Sequence, residues 1–388
     1  MVDNKMKESE NILTDRQTDR QSGIEFLKVF AIILIVISHC VNSLIADNLD
    51  TNAIFDIKHS STDIQNIILI IMHHFGVLGN SIFFVCSAWF LLESTSYNKR
   101  KWFRMLVEIW TVSVIILVIS SFVMKGSISP RLVVRSFFPT LFANNWYMTC
   151  YLLFYPIHPI LNKIICLMNQ KTLFRVAVAL AFLYIFMCNI DVEWFFCTPI
   201  VLWVAIYFVI AYMKKYMPTF QNDIKANWIL FGCSTAILLS AILLTNLIGL
   251  HIVYFSMNVF HWVSKNNICI ILMSISLLNI VRQAHFVNKA INYISKLSML
   301  VYIIHENIIL ATYARPKMWS LIYNNCGYKY VLGWVFVVSM VVLAFGFLSA
   351  LAYKLLLQKK VNKVSDSLYN KLREAYYSIE NKSLNFLK

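Results

Sequence analysis

The chain has 388 residues, 59% of them hydrophobic and only 14% charged, with a mean hydropathy of +0.65 and a formal net charge of +15. That balance excludes an ordinary soluble domain and a disordered chain. It fits an all-α, polytopic membrane helix bundle, because helices satisfy their own backbone polar groups in hydrocarbon.

Residues 1–22 are polar and mixed in sign, with Lys5, Lys7, Glu8, Glu10, Asp15, Arg16, Asp19 and Arg20. They lack the short apolar region and small-residue cleavage site of a signal peptide, so this segment is expected to stay as a cytoplasmic lead-in. The first apolar run, 23–46, is long enough to cross a bilayer yet holds Lys28 and His39. Ionisable groups in hydrocarbon cost a few kcal/mol or more and mark functional pathways. Their spacing of eleven positions separates the two groups by about 16 Å along a helix.

Ten spans are predicted in all, about 24–46, 66–92, 104–124, 141–162, 173–190, 195–213, 227–248, 263–281, 293–314 and 332–356. With the N-terminus inside, the inner segments carry 26 of the 34 Lys and Arg and the outer ones the remaining 8. This is the positive-inside asymmetry, so both termini are expected in the cytoplasm. The basicity is then topological, and no nucleic-acid partner follows from it.

Beyond Gln358, Val361, Val364, Leu368, Leu372, Ala375 and Ile379 recur at helical intervals among lysines, which predicts an amphipathic helix on the inner membrane surface. The expected organisation is therefore a segment 1–22, a membrane domain 23–356 and a basic tail 357–388. The nine cysteines show no CxxC or metal-type spacing, so neither a disulfide framework nor a metal site is expected.

Depth assigned from these spans gathers titratable groups in the outer half: His39, His73, His74, and His305 with Glu306 beside it, while Trp146 and Tyr147 stand at the outer start of the fourth span. Each has a structural reading as well. Membrane histidines hydrogen-bond neighbouring helices, Glu306 can be a paired structural acid, and Trp and Tyr populate interfacial belts. On the inner side Lys99, Arg100, Lys101 and Arg104 cluster, either as ordinary inner-loop charge or as a phosphate site, with Glu108 one turn beyond Arg104 to orient it.

Several segments resemble the membrane acyltransferase-3 family, in the order that family shows them. Lys28-x10-His39 resembles its Arg/Lys-x10-His motif, GNSIFFVCSAWFLLES (79–94) its FF-x-x-SG segment, and Lys101-Trp102-Phe103-Arg104 its inner Arg-x-x-Arg pair. NNWYMTCYLLFYPIHPILN (144–162) is similar to its WY-rich fourth span, and Ser298, Tyr302 and His305 to its S-x-x-x-Y-x-x-H segment. Ala88 stands where the family has Gly, and Lys101 where it has Arg, which keeps the charge but loses the fork. The hydrolase-like domain fused to some members is not expected here.

The resemblance implies an integral O-acyltransferase that moves an acyl group, commonly acetyl, from cytoplasmic acetyl-CoA to a hydroxyl of a surface carbohydrate or its lipid-linked glycan precursor, in a bacterial inner membrane. It implies His39 and Lys28 as catalytic residues, and Lys101, Arg104 and Arg100 as the anchor for the CoA phosphates. Trp146, Tyr147, Tyr302, His305 and Ser87 would bind the acceptor. Histidine, with an ordinary pKa of about 6.5, suits removal of the hydroxyl proton, or it can carry the acyl group itself. A secondary transporter or flippase for a sugar-containing substrate is the competing class. Against it stand the lack of a repeated half and of matching broken helices.

Overall fold

The computed structural model describes residues 22–45, 59–124, 128–187, 198–262 and 264–386, and every regular element among them is helical. Most of the expected N-terminal segment lies outside the described residues, as do 188–190 and 195–197 of two expected spans. Among the described residues, seven helical stretches are long and apolar enough to cross a membrane. They are α1 (Ser22–Ile45), the run of α2 (Ile64–His73) and α3 (Phe75–Leu91), α4 (Lys99–Val123), α6 (Trp146–Leu167), α8 (Pro199–Tyr216), α10 (Ile224–Gly249) and α16 (Val331–Leu356). An eighth candidate is a bent pair, Lys289–His305 with Leu310–Cys326, whose halves differ in direction by 65°. The chain is an all-α bundle with candidate membrane-spanning helices throughout.

Three of the ten predicted spans take another form among the described residues. The fifth is a 12-residue helix, α7 (Gln170–Ala181), running into a π-helical turn at Phe182–Met187. The eighth is the 15-residue α12 (Ile268–Arg282), which begins late because Asn267 caps its N-terminus: its Oδ1 accepts from the N–H groups of Cys269 and Ile270 at 3.0 and 3.4 Å. The ninth is the bent pair. Short helices complete the chain: α5 (Pro130–Phe137), α9 (Pro218–Asn222), α11 (Val253–Met257), α13 (Lys289–Ser295), α14 (Ser298–His305), α15 (Arg315–Cys326) and the tail helix α17 (Gln358–Phe386).

The chain forms two compact units. The first holds residues 1–38, 56–90 and 169–298. Within it, α2 passes into α3 through His74, whose ring Nδ1 lies 2.9 Å from the carbonyl of Ile70. Next to this junction α3 lies close against α1. Ser38 Oγ donates to the His73 carbonyl at 2.6 Å, and a Cβ on Gly79 would meet the Ala31 carbonyl at 2.6 Å. Absence of a side chain at Gly79 is what lets the two backbones approach, the usual device of helix pairs in membranes.

The second unit holds 39–55, 91–168 and 299–388. Here the segment expected to be an outer loop folds back along α4. Ser129 caps α5, Pro130 occupies its first turn, and Leu132 and Ile128 pack with Leu117 of α4 and Ile309. Ser113 Oγ of α4 donates to the Ser136 carbonyl at 2.9 Å. That contact is ten residues, about 15 Å, back from the end of α4. Helix α6 runs antiparallel to α4, with Trp102 Nε1–H donating to the Leu152 carbonyl at 2.7 Å. Further along, Asn162 Nδ2 donates to the carbonyls of Leu91 and Ser94. Trp146 and Tyr147 are the first two residues of α6, at the head of that span.

Replacing Gly79 with Val inserts atoms where the Ala31 carbonyl and the Ile35 side chain already sit. Overpacking of this kind costs about 1–3 kcal/mol. The variant is expected to unfold at a lower temperature in detergent, measured by intrinsic fluorescence.

Candidate active site

His39 lies on the last two turns of α1, and its Nδ1 faces two groups from the bent pair. Glu306 Oε2 is 2.7 Å away and His305 Nε2 is 3.0 Å away. The two imidazole planes differ by 23°, with centroids 5.2 Å apart, a spacing that fits near-coplanar rings joined edge to edge by one hydrogen bond. The hydrogen-bond network assigns the tautomers. His305 Nδ1 is 2.8 Å from the Val301 carbonyl, which can only accept, so Nδ1 carries the proton and Nε2 presents a lone pair. His39 Nδ1–H is then shared between that lone pair and the Glu306 carboxylate. In the neutral ring, His39 Nε2 then bears the lone pair. An imidazole whose one nitrogen donates to a carboxylate, with the other nitrogen bearing a lone pair, is the arrangement a general base needs.

Glu306 is held in turn by Arg315, whose Nη2 donates to the same Oε2 at 3.0 Å while Nη1 donates to the His39 carbonyl at 3.1 Å. One turn further along α15, Trp319 Nε1–H donates to the Cys40 carbonyl at 3.0 Å. Ser43 Oγ also donates to the His39 carbonyl, at 2.9 Å. The ligand atoms of His39, His305 and Glu306 lie within 4.8 Å of one another, close enough to share a transition metal. The guanidinium already bound to Oε2 places a competing cation there, which favours the hydrogen-bonded arrangement.

The expected acceptor residues of this unit form one aromatic run. Trp146 meets Tyr147 edge-on at 5.8 Å, Tyr147 meets Tyr302 at 5.8 Å, and Tyr302 meets His305 at 5.7 Å. Tyr147, Tyr302 and His305 are buried and Trp146 is partly exposed. Ser87 is a half-buried residue of α3 in the first unit. His73 and His74 belong to that unit too, His73 packing on Phe260 at 4.9 Å and His74 on its own helix.

Lys28 is paired locally: its Nζ is 3.4 Å from Glu25 Oε1 and 5.5 Å from the Phe90 ring centroid. Glu25 also accepts from Ser295 Oγ, so the buried carboxylate is shared between a cation and a hydroxyl. In the basic cluster, Asn98 caps α4 and Lys101 and Arg100 are exposed. Arg104 is engaged by the tail: its Nε donates to Asp366 Oδ1 at 2.8 Å and its Nη2 to Oδ2, a bidentate pair. Arg100 Nε lies 3.9 Å from the same carboxylate. Glu108, expected to orient Arg104, accepts instead from Gln358 Nε2 at 3.1 Å. The amphipathic tail thus folds as α17 and docks on α4.

Residues 21–353 match the family model described as an acyltransferase domain, of the acyltransferase-3 type. The chain belongs to the acyltransferase-3 family. Neither a curated relative nor a solved structure matches it significantly. The match spans α1 through most of α16, so both the His39 cluster and the basic turn of α4 fall within the acyltransferase domain. Arg315 escaped the sequence reading because it follows a span drawn as straight and ending at 314. Glu306 was visible only as an acid beside a histidine.

The Arg104 hydrogen bonds hold the Asp366 carboxyl below the ordinary carboxylate range. A depressed carboxylate stabilises the docked tail above its unfolded pKa, and that contribution is lost as pH falls through the lowered value. Tail docking is therefore expected to weaken only below about pH 4, read as faster proteolysis after Gln358. At neutral pH, Asp366→Asn should cost no more than about 1 kcal/mol, because the pair is partly exposed.

Proposed function

We propose that this acyltransferase moves an acyl group, acetyl in the simplest case, from a cytoplasmic acyl-CoA to a hydroxyl of a cell-surface carbohydrate or its lipid-linked precursor, in a bacterial inner membrane. The observation that carries the reading is the His39 Nδ1···Glu306 contact at 2.7 Å, which leaves Nε2 to act as base. As the acceptor oxygen attacks the thioester carbonyl, its proton passes to His39 Nε2. The tetrahedral oxyanion then collapses, the C–S bond breaks, and the leaving CoA thiolate takes that proton back. Glu306 stabilises the imidazolium formed between these steps, and His305 keeps the ring plane.

The cytoplasmic end follows from the same reading. Lys101, Arg100 and Arg104 receive the CoA phosphates, and Lys28, eleven residues before His39 on α1, meets the donor arm on its way to the base. The carboxylate of Asp366 offers Arg104 the two-oxygen face that a phosphate would offer, so the donor displaces it. Trp146 and its aromatic neighbours support the acceptor end.

His39→Ala is expected to lower turnover by roughly 10²–10⁴-fold, the range for loss of a general base. Glu306→Gln should lower it at least about tenfold, or 1.4 kcal/mol in the barrier. Both are read by acyl-CoA hydrolysis and transfer with purified protein, and full transfer by His39→Ala would remove the central assignment. Mass analysis of surface glycans with and without the protein identifies the acyl group and the sugar that carries it.

Arg104→Ala should raise KM for acyl-CoA about tenfold, in line with loss of a charge-assisted contact. Asp366→Asn should lower it. Unchanged KM in both variants would place the phosphates elsewhere.

A further inference from the structure

Glu306 and Arg315 are nine residues apart. On a straight α-helix that spacing puts them about 13.5 Å apart along the axis and on opposite faces. In the structure their side chains are 3.0 Å apart. The difference is produced by the bend, and the sequence supplies each part of it. Helix α14 ends at His305, and the next turn tightens, Asn307 N–H donating to the Ile304 carbonyl at 3.2 Å. Asn307 Oδ1 then accepts from the Ile309 N–H at 3.0 Å, a local turn that competes with helix continuation. The chain resumes as a π-helical turn, Leu310–Ala314, before Pro316 in the first turn of α15. Proline lacks an N–H and its ring crowds the carbonyl four residues back, so a wider turn ahead of it relieves both demands.

We propose that Arg315 is a positioning residue for the His39–Glu306 pair, and that the break between His305 and Arg315 exists to deliver it. Its two nitrogens grip the pair from both sides, Nη2 on the Glu306 carboxylate and Nη1 on the backbone carbonyl of His39 itself. Trp319, one turn on, holds the next carbonyl, that of Cys40. The short helix α15 therefore sets both where the base sits and which way its carboxylate partner points. A planar guanidinium spans two acceptors at fixed separation, whereas an ammonium is a single point. Among the described residues, the Arg315 hydrogen bonds are to the Glu306 carboxylate and the His39 carbonyl, so its effect reaches the chemistry through His39. The inference rests on the reading of His39 as the base.

The test is steady-state kinetics of purified Arg315→Ala and Arg315→Lys beside His39→Ala, each first checked for a monodisperse elution profile and a cooperative thermal transition. Misplacing a catalytic group by about 1 Å costs on the order of 10²-fold, so Arg315→Ala is expected to lose that much kcat with KM for acyl-CoA within about twofold of the parent. Added guanidinium should restore at least about a tenth of the lost rate, while methylammonium should not, because only the former offers the fork. Arg315→Lys should stay deficient despite keeping its charge, and it decides the matter if the alanine variant does not fold. Near-parent kcat in either folded variant, or a loss that guanidinium leaves untouched, overturns the positioning role. Those outcomes with an inactive His39→Ala leave the base assignment standing, whereas an active His39→Ala removes the base assignment instead.

Discussion

One carboxylate oxygen organises the candidate site. Glu306 Oε2 receives the His39 ring from α1 and the Arg315 guanidinium from α15, and His305, its chain neighbour, takes a share of the same imidazole N–H. A lone carboxylate or a lone imidazolium in a membrane interior is costly, but a cation, an anion and a hydrogen-bonded ring held together offset much of one another's desolvation. The arrangement also has a direction. Because Arg315 occupies one side of the oxygen and His39 the other, the imidazole is fixed in one tautomer with Nε2 facing away from the acid.

The bundle's irregularities serve this arrangement. A continuous ninth helix would leave Arg315 on the far side of the segment, and the Asn307 turn, the π-helical stretch and Pro316 together remove that problem. The fold-back of α5 along α4 has a similar consequence. It returns the chain along α4 before α6 begins, and Tyr147 at the head of α6 meets Tyr302, which in turn meets His305.

What the sequence made legible follows from the range of each interaction. Composition and apolar run length announce a helical membrane protein, and the spaced Lys28 and His39 announce a site. His305, Tyr302, Tyr147 and Trp146 were found because residue type and order match a known pattern, and the structure brings them together with His39. Arg315 and Asp366 were not found. Each acts across a turn or a docking surface that hydrophobic periodicity does not encode: one sits past a kink, the other 262 residues from its partner Arg104. Helix α5 carried a local signal, Ser129-Pro130 ahead of an apolar run, but the gap between the predicted third and fourth spans reads by default as an outer loop.

The two ionisable residues of α1 are stabilised in opposite ways, and the contrast bears on their roles. Lys28 finds its acid three residues away on the same helix, so its pair with Glu25 forms whenever α1 forms. His39 finds its acid 267 positions later, so its hydrogen-bonded orientation is set only when α1, α14 and α15 have assembled. A cation neutralised locally is available as a fixed electrostatic element independent of the rest of the fold. On the proposed mechanism, a base oriented by such long-range contacts acts only in the assembled domain, which keeps a reactive imidazole from meeting acyl-CoA in a partly folded chain.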